Sequence, residues 1–129
     1  MDNLPNLPRK LRKREADITP KILDWFRKHH NACAAIEIKA TDGHSIPASA
    51  LMPHQKAALM QAAGKGITHK LSDEARRRQP FDAFMLKGVP AYVVAVFTTH
   101  RVAYAFPIHL WRGARHGMPT PPPIIVMEF

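Results

Sequence analysis

The residues best suited to chemistry by type and spacing are Glu37 and Lys39, set in the run Ala34-Ala35-Ile36-Glu37-Ile38-Lys39-Ala40-Thr41. The alternation of polar and β-branched residues predicts a strand, in which successive side chains point to opposite faces. Ile36 and Ile38 then enter a core, while Glu37 and Lys39 share the other face, about 6.5–7 Å apart along the strand. A carboxylate can hold a hard divalent cation. A lysine beside it can orient a water or stabilise charge building on a phosphate. Such a pair suits the centre of a metal-dependent phosphodiesterase. Taken alone, it suits better a solvated strand face that carries only an ion pair.

The charge of the whole chain points to a polyanionic partner. Of 129 residues, 19 are Lys or Arg and 10 are Asp or Glu, a formal net charge of +9. Nucleic acid is the first expectation and a membrane surface the second. The hydrophobic fraction of 46% excludes a disordered chain, and the length suits one domain with one core. No apolar run approaches the length of a transmembrane helix, and Met1-Asp2-Asn3-Leu4-Pro5 lacks the apolar centre of a signal peptide. A cytoplasmic protein is therefore expected. A single cysteine, Cys33, excludes an internal disulfide and a Cys-based zinc site, and its apolar surroundings predict a buried thiol. His29, His30, His44, His69, His100, His109 and His116 show no metal-ligand spacing and read as surface or DNA-facing residues.

The elements that position the pair follow from periodicity and punctuation. Residues 1–16 read as a basic arm, with Arg9, Lys10, Arg12, Lys13 and Arg14 placed for phosphate contact. A domain over 17–112 follows, then a Pro-rich tail over 113–129 in which Ile124-Ile125-Val126 docks on the domain or on a second subunit. Thr19-Pro20 predicts the start of a first helix that ends near His30-Asn31. A strand at about 33–40 comes next, then the Asp42-Gly43 turn and a short strand within 44–48. A second helix is expected from Leu51 to Ala63, with Pro53 near its start and Gly64 as its stop, presenting His54 and Gln55 in its first turn. A second basic stretch includes Lys70, Arg76, Arg77 and Arg78 on the side facing DNA. Residues 80–86 read as a strand that the Lys87-Gly88 turn pairs with 91–97. The nearly continuous apolar run of 91–97 predicts a central strand buried on both faces. A further strand at 101–106 and a closing segment at 107–111 complete an α/β (α+β) domain.

A cation needs a second acid from another element. Asp82 is the best candidate, at the mouth of an apolar strand between Phe81 and Phe84. Asp73 reads better as a turn cap. Glu15 and Asp17 precede the first helix, as further ligands or as favourable charge at a helix N-terminus.

Taken together, Ile36-Glu37-Ile38-Lys39 followed by Pro53-His54-Gln55-Lys56-Ala57-Ala58-Leu59 resembles the PD-(D/E)xK nuclease superfamily, and the Holliday junction resolvases within it in particular. Pro80-Phe81-Asp82 is similar to that family's acidic motif, and the segments 92–97 and 104–108 to its C-terminal strands. The order is rearranged, since Asp82 follows the Glu37 strand where the family places its acid before it. Small resolvase-like nucleases of phages and mobile elements show this style of sequence. The resemblance implies a restriction-endonuclease-like mixed sheet flanked by helices, with Asp82 facing Glu37 from a neighbouring strand. It implies that Asp82 and Glu37 bind Mg²⁺ or Mn²⁺, with Glu15 or Asp17 completing the set. Lys39 would position the attacking water and Gln55 would orient water or the scissile phosphate. The implied activity is endonucleolytic cleavage of branched DNA by a homodimer. A nicking or restriction-type nuclease and a non-catalytic basic DNA-binding module are the alternatives.

Overall fold

The computed structural model describes residues 17–29, 33–71 and 81–129. The basic arm with Glu15, together with Asp73, Arg76, Arg77, Arg78 and Pro80, lies outside the described residues.

The apolar runs of the sequence build one mixed sheet. Its strands are β1 (Ala35–Thr41), β5 (Ala91–Phe97), β6 (Val102–Pro107) and β8 (Ile125–Glu128), in that spatial order. β1 runs parallel to β5, and β5–β6 and β6–β8 are antiparallel. Two short sheets flank it: β2 (Ser45–Ile46) with β7 (Ala114–Arg115), and β3 (Ile67–Lys70) with β4 (Ala83–Leu86). The first helix, α1, runs over 17–29, and the second, α2, spans Pro53–Ala63. The result is a single-domain α+β fold.

Strand alternation sorts the core into two layers. Val93, Ala95 and Phe97 of β5, with Tyr104 and Phe106 of β6, pack beneath Leu51, Leu59 and Trp111. Val94, Val96, Ala103 and Ala105 pack on the opposite face against Ile18, Ile22 and Phe26 of α1. β5 is thus covered on both sides, as its unbroken apolar run requires. Each of its fully buried valines contributes about 1.5–3 kcal/mol of burial free energy. β1 lies at the sheet edge and follows the same alternation. Ile36 and Ile38 pack with the α1 layer, and Ala35 packs with the α2 layer.

Four expectations change. The first helix already runs at residue 17, so Thr19 is not its cap and Pro20 lies within it. Residues 113–129 are not a tail: they supply β7 and the edge strand β8, whose Met127 is only 2% exposed. The strand after Asp82 does not pair with 91–97. It pairs with β3, in the register Lys70↔Ala83 to Ile67↔Leu86. The physical reason is that both edges of β5 are already taken, by β1 and β6, so β4 has no place beside it. Cys33 is exposed, because it precedes the first sheet hydrogen bond, from Ala35 N to Pro90 O.

Candidate active site

Glu37 and Lys39 face the α2 side of the sheet, as alternation from Ala35 demands. In the parallel pairing their partners on β5 are Val93 and Ala95. Both are apolar and buried, so the adjacent central strand supplies no second acid. The Lys39 ammonium reaches back along the strand to Glu37 Oε2 at 3.3 Å. The two side chains are 19% and 31% exposed, Lys39 the more buried, so the pair is neither sealed in the core nor fully solvated.

The third member arrives from α2. Pro53 opens that helix, where a missing N–H costs nothing, and Gln55 falls at its third position. Its side-chain Oε1 accepts from Met52 N at 3.0 Å, closing one orphan donor of the helix start. That bond fixes the amide orientation and turns Nε2 toward the sheet, where it donates to Glu37 Oε2 at 3.1 Å. The helix start is held from below. Trp111, buried, donates its indole N–H to Ala48 O at 3.1 Å, seating the 3₁₀ turn Ala48–Ala50 just before α2. Gly113 nests against the same turn at φ +90°, where an added Cβ would lie 2.9 Å from Ala48 N. Two elements far apart in sequence therefore converge on one carboxylate oxygen.

A recess of about 520 Å³ opens beside this cluster. β1 and α2 form one side of it, with Glu37, His54 and Gln55; the β3–β4 hairpin forms the other, with His69 and Phe84. The His69 and Phe84 rings lie 5.2 Å apart, centroid to centroid. Their part in this wall was not readable from the sequence, because it depends on the β3–β4 register.

The remaining expected ligands are distributed differently. Asp82 is exposed in the bend leading to β4, two residues before Phe84, and its carbonyl accepts from Leu71 N at 2.7 Å. Its strand is not a neighbour of β1 in the sheet, which corrects the expectation of a facing pair across adjacent strands. Asp17 is not brought to Glu37. It shares a hollow with Ile18, Thr98 and Thr99, while Ile18 belongs to the opposite face of the sheet. Thr98 bonds to Thr41 O, four residues beyond Glu37, or about 13 Å along the strand. Lys70 is exposed on β3 opposite Ala83.

The donor set can be tested against a divalent cation. Both contacts to Glu37 fall on Oε2, which leaves Oε1 open to a ligand among the described residues. Mg²⁺ is commonly held by one or two carboxylates, with waters and substrate phosphate filling its other positions. A partly exposed carboxylate, oriented by an amide and an ammonium at the edge of an open recess, fits that demand. Glu37 would be one ligand; Asp82 lies on the β3–β4 pair that walls the recess but is not among the residues that line it. Among the described residues no helix is long and apolar enough to cross a membrane. Comparison with protein-family models, with curated proteins and with solved structures finds no significant match for this chain.

Proposed function

We propose that this protein is a metal-dependent endodeoxyribonuclease of the PD-(D/E)xK kind, which cuts branched DNA such as a four-way junction. The observation that carries the proposal is the convergence of Lys39 Nζ and Gln55 Nε2 on a single oxygen of Glu37. A strand-face ion pair needs no amide delivered from a separate helix. A carboxylate that must hold a fixed direction does.

The roles follow from the positions. Glu37 is the metal ligand from the sheet, and Asp82 the proposed second acid from the hairpin. Lys39, with three donors, positions the attacking water and stabilises charge on the phosphate. Gln55 is a positioning residue that holds Glu37 in place. Mg²⁺ or Mn²⁺, when bound, supplies activation of water and neutralisation of the phosphate charge. The N-terminus of α2, beside the recess, adds a positive dipole end favourable to a phosphate. Lys70 and the basic arm, in a chain whose net charge is +9, attract the DNA backbone without choosing sequence. Two cuts across a four-way junction call for two sites, which a two-fold homodimer working in the cytoplasm would supply.

A second reading, a non-catalytic DNA-binding module, is favoured by one observation: the partners of Glu37 and Lys39 on β5 are Val93 and Ala95, so the adjacent strand supplies no second acid for a metal. The test is incubation of the purified chain with a synthetic four-way junction and with linear duplex, in Mg²⁺ or Mn²⁺. Junction cutting that exceeds duplex cutting is expected. Equal cutting of duplex would overturn the junction preference, and no cutting in either metal would overturn the nuclease.

A further inference from the structure

The end of the main sheet carries a second group of side chains that the nuclease reading does not use. β1 and β5 run parallel, so the turns that follow them lie at the same end. His44 sits in the turn between β1 and β2, and His100 in the turn between β5 and β6. His116 follows β7, the partner of β2, and its backbone N–H donates to His44 O at 2.9 Å. Three residues separated by 56 and 16 positions in the chain are thereby brought together. One ring nitrogen from each lies within 4.8 Å of the others, and among the described residues this is the group of three or more ligating side chains.

The arrangement is crowded in a way that calls for an occupant. His100 and His116 stack at 3.6 Å between centroids, with 19° between their planes. His44 packs against His100 at 5.2 Å. His116 also meets the buried Phe97 edge-on at 6.0 Å, which fixes its ring. His100 Nδ1 is shielded from solvent and has no hydrogen-bond partner, alone among the described side chains in this respect. A buried polar nitrogen without a partner is costly, and an ion or a water would satisfy it. Burial first, then the His116 and His44 imidazoles, hold the His100 pKa below its usual value.

We propose that His44, His100 and His116 form a site for a divalent transition metal of the zinc class, tying three turns together at one end of the sheet. Neutral imidazole suits Zn²⁺, Ni²⁺ or Cu²⁺ and is a poor ligand for Mg²⁺. Tetrahedral zinc holds its nitrogens at about 2.0–2.1 Å, closer together than the 4.8 Å within which these atoms lie, so binding would draw the three rings inward. Three protein nitrogens leave a fourth position for water or for a group from a partner. The site is separate from the Glu37 recess and does not depend on it.

The experiment is a titration of the untagged, full-length chain with Zn²⁺, and with Co²⁺ as a spectroscopic probe. Uptake of one equivalent is expected, with the visible bands of four-coordinate Co²⁺. The imidazole signals of His44, His100 and His116 should shift together in the wild-type spectrum, and those of His109 should not. His44 is exposed, so His44→Ala is the variant least able to disturb folding; it should weaken uptake at least about tenfold, whereas Glu37→Gln should leave it unchanged. Absence of one-equivalent uptake, undiminished uptake by His44→Ala, or a shift confined to other histidines would overturn the site.

Discussion

Gln55 is the residue whose removal separates a built site from a chance ion pair. Its amide makes two bonds, to Met52 N at 3.0 Å and to Glu37 Oε2 at 3.1 Å. Gln55→Ala deletes both. The first is an exposed neutral bond at a helix start, worth about 1 kcal/mol. The second is charge-assisted, but it reaches a carboxylate that is 31% exposed, and solvent holds its worth to about 1 kcal/mol. The sum is about 2 kcal/mol, a fall in Tm of roughly 6–10 °C for a chain of this length. Cutting should drop by roughly 10–100-fold, as for other losses of a group that orients a ligand. Gln55→Glu is the sharper variant. It keeps an acceptor for Met52 N but sets a second carboxylate against Glu37. Without metal it should be destabilised; with Mg²⁺ its Tm should rise by more than that of the wild type, since the cation offsets the repulsion. Differential scanning fluorimetry with and without Mg²⁺ reads both. An unchanged Tm for Gln55→Ala, together with a Gln55→Glu protein indifferent to Mg²⁺, would refute the reasoning.

Three further outcomes can be checked. Lys39→Met, which keeps the chain length but removes the ammonium, should lower cutting at least about 100-fold while changing urea stability by less than about 1 kcal/mol, because the ion pair is partly solvated. Asp82→Asn should abolish cutting with no change in Tm, since the residue is exposed in a bend; full activity in this variant would remove Asp82 from the metal set. Gly113→Ala places a Cβ 2.9 Å from Ala48 N and 3.0 Å from Ile46 O at φ +90°, and should lose at least about 2 kcal/mol in denaturant unfolding.

The local parts of the site were legible in the sequence. Period-two alternation placed Ile36 and Ile38 on one face of β1 and Glu37 and Lys39 on the other. Pro53 and Gly64 bracketed α2, which put Gln55 in its first turn. The unbroken apolar run from Ala91 to Phe97 announced a strand covered on both faces. The non-local parts were not legible, for reasons that lie in chain topology. Lys87-Gly88 looks like a tight hairpin turn, yet Val89 and Pro90 extend the connection. Val89 N bonds to Ala62 O instead, and β4 returns to β3. The prolines from Pro119 to Pro123 mask the alternation that buries Met127 between exposed Val126 and Glu128. His44, His100 and His116 have no ligand spacing along the chain, because three turns at one sheet end bring them together.

Glu37 is proposed as the acidic anchor of a nuclease centre. The most direct measurement of that role is single-turnover cleavage of a labelled four-way junction in Mg²⁺, by the wild type and by Glu37→Gln, with junction binding followed on the same samples in Ca²⁺. The expected result is a loss of cutting of at least about 10³-fold with binding as tight as in the wild type or tighter, since one negative charge is gone from a surface that meets phosphate. Cutting that survives the substitution, or binding lost in step with it, would contradict the account.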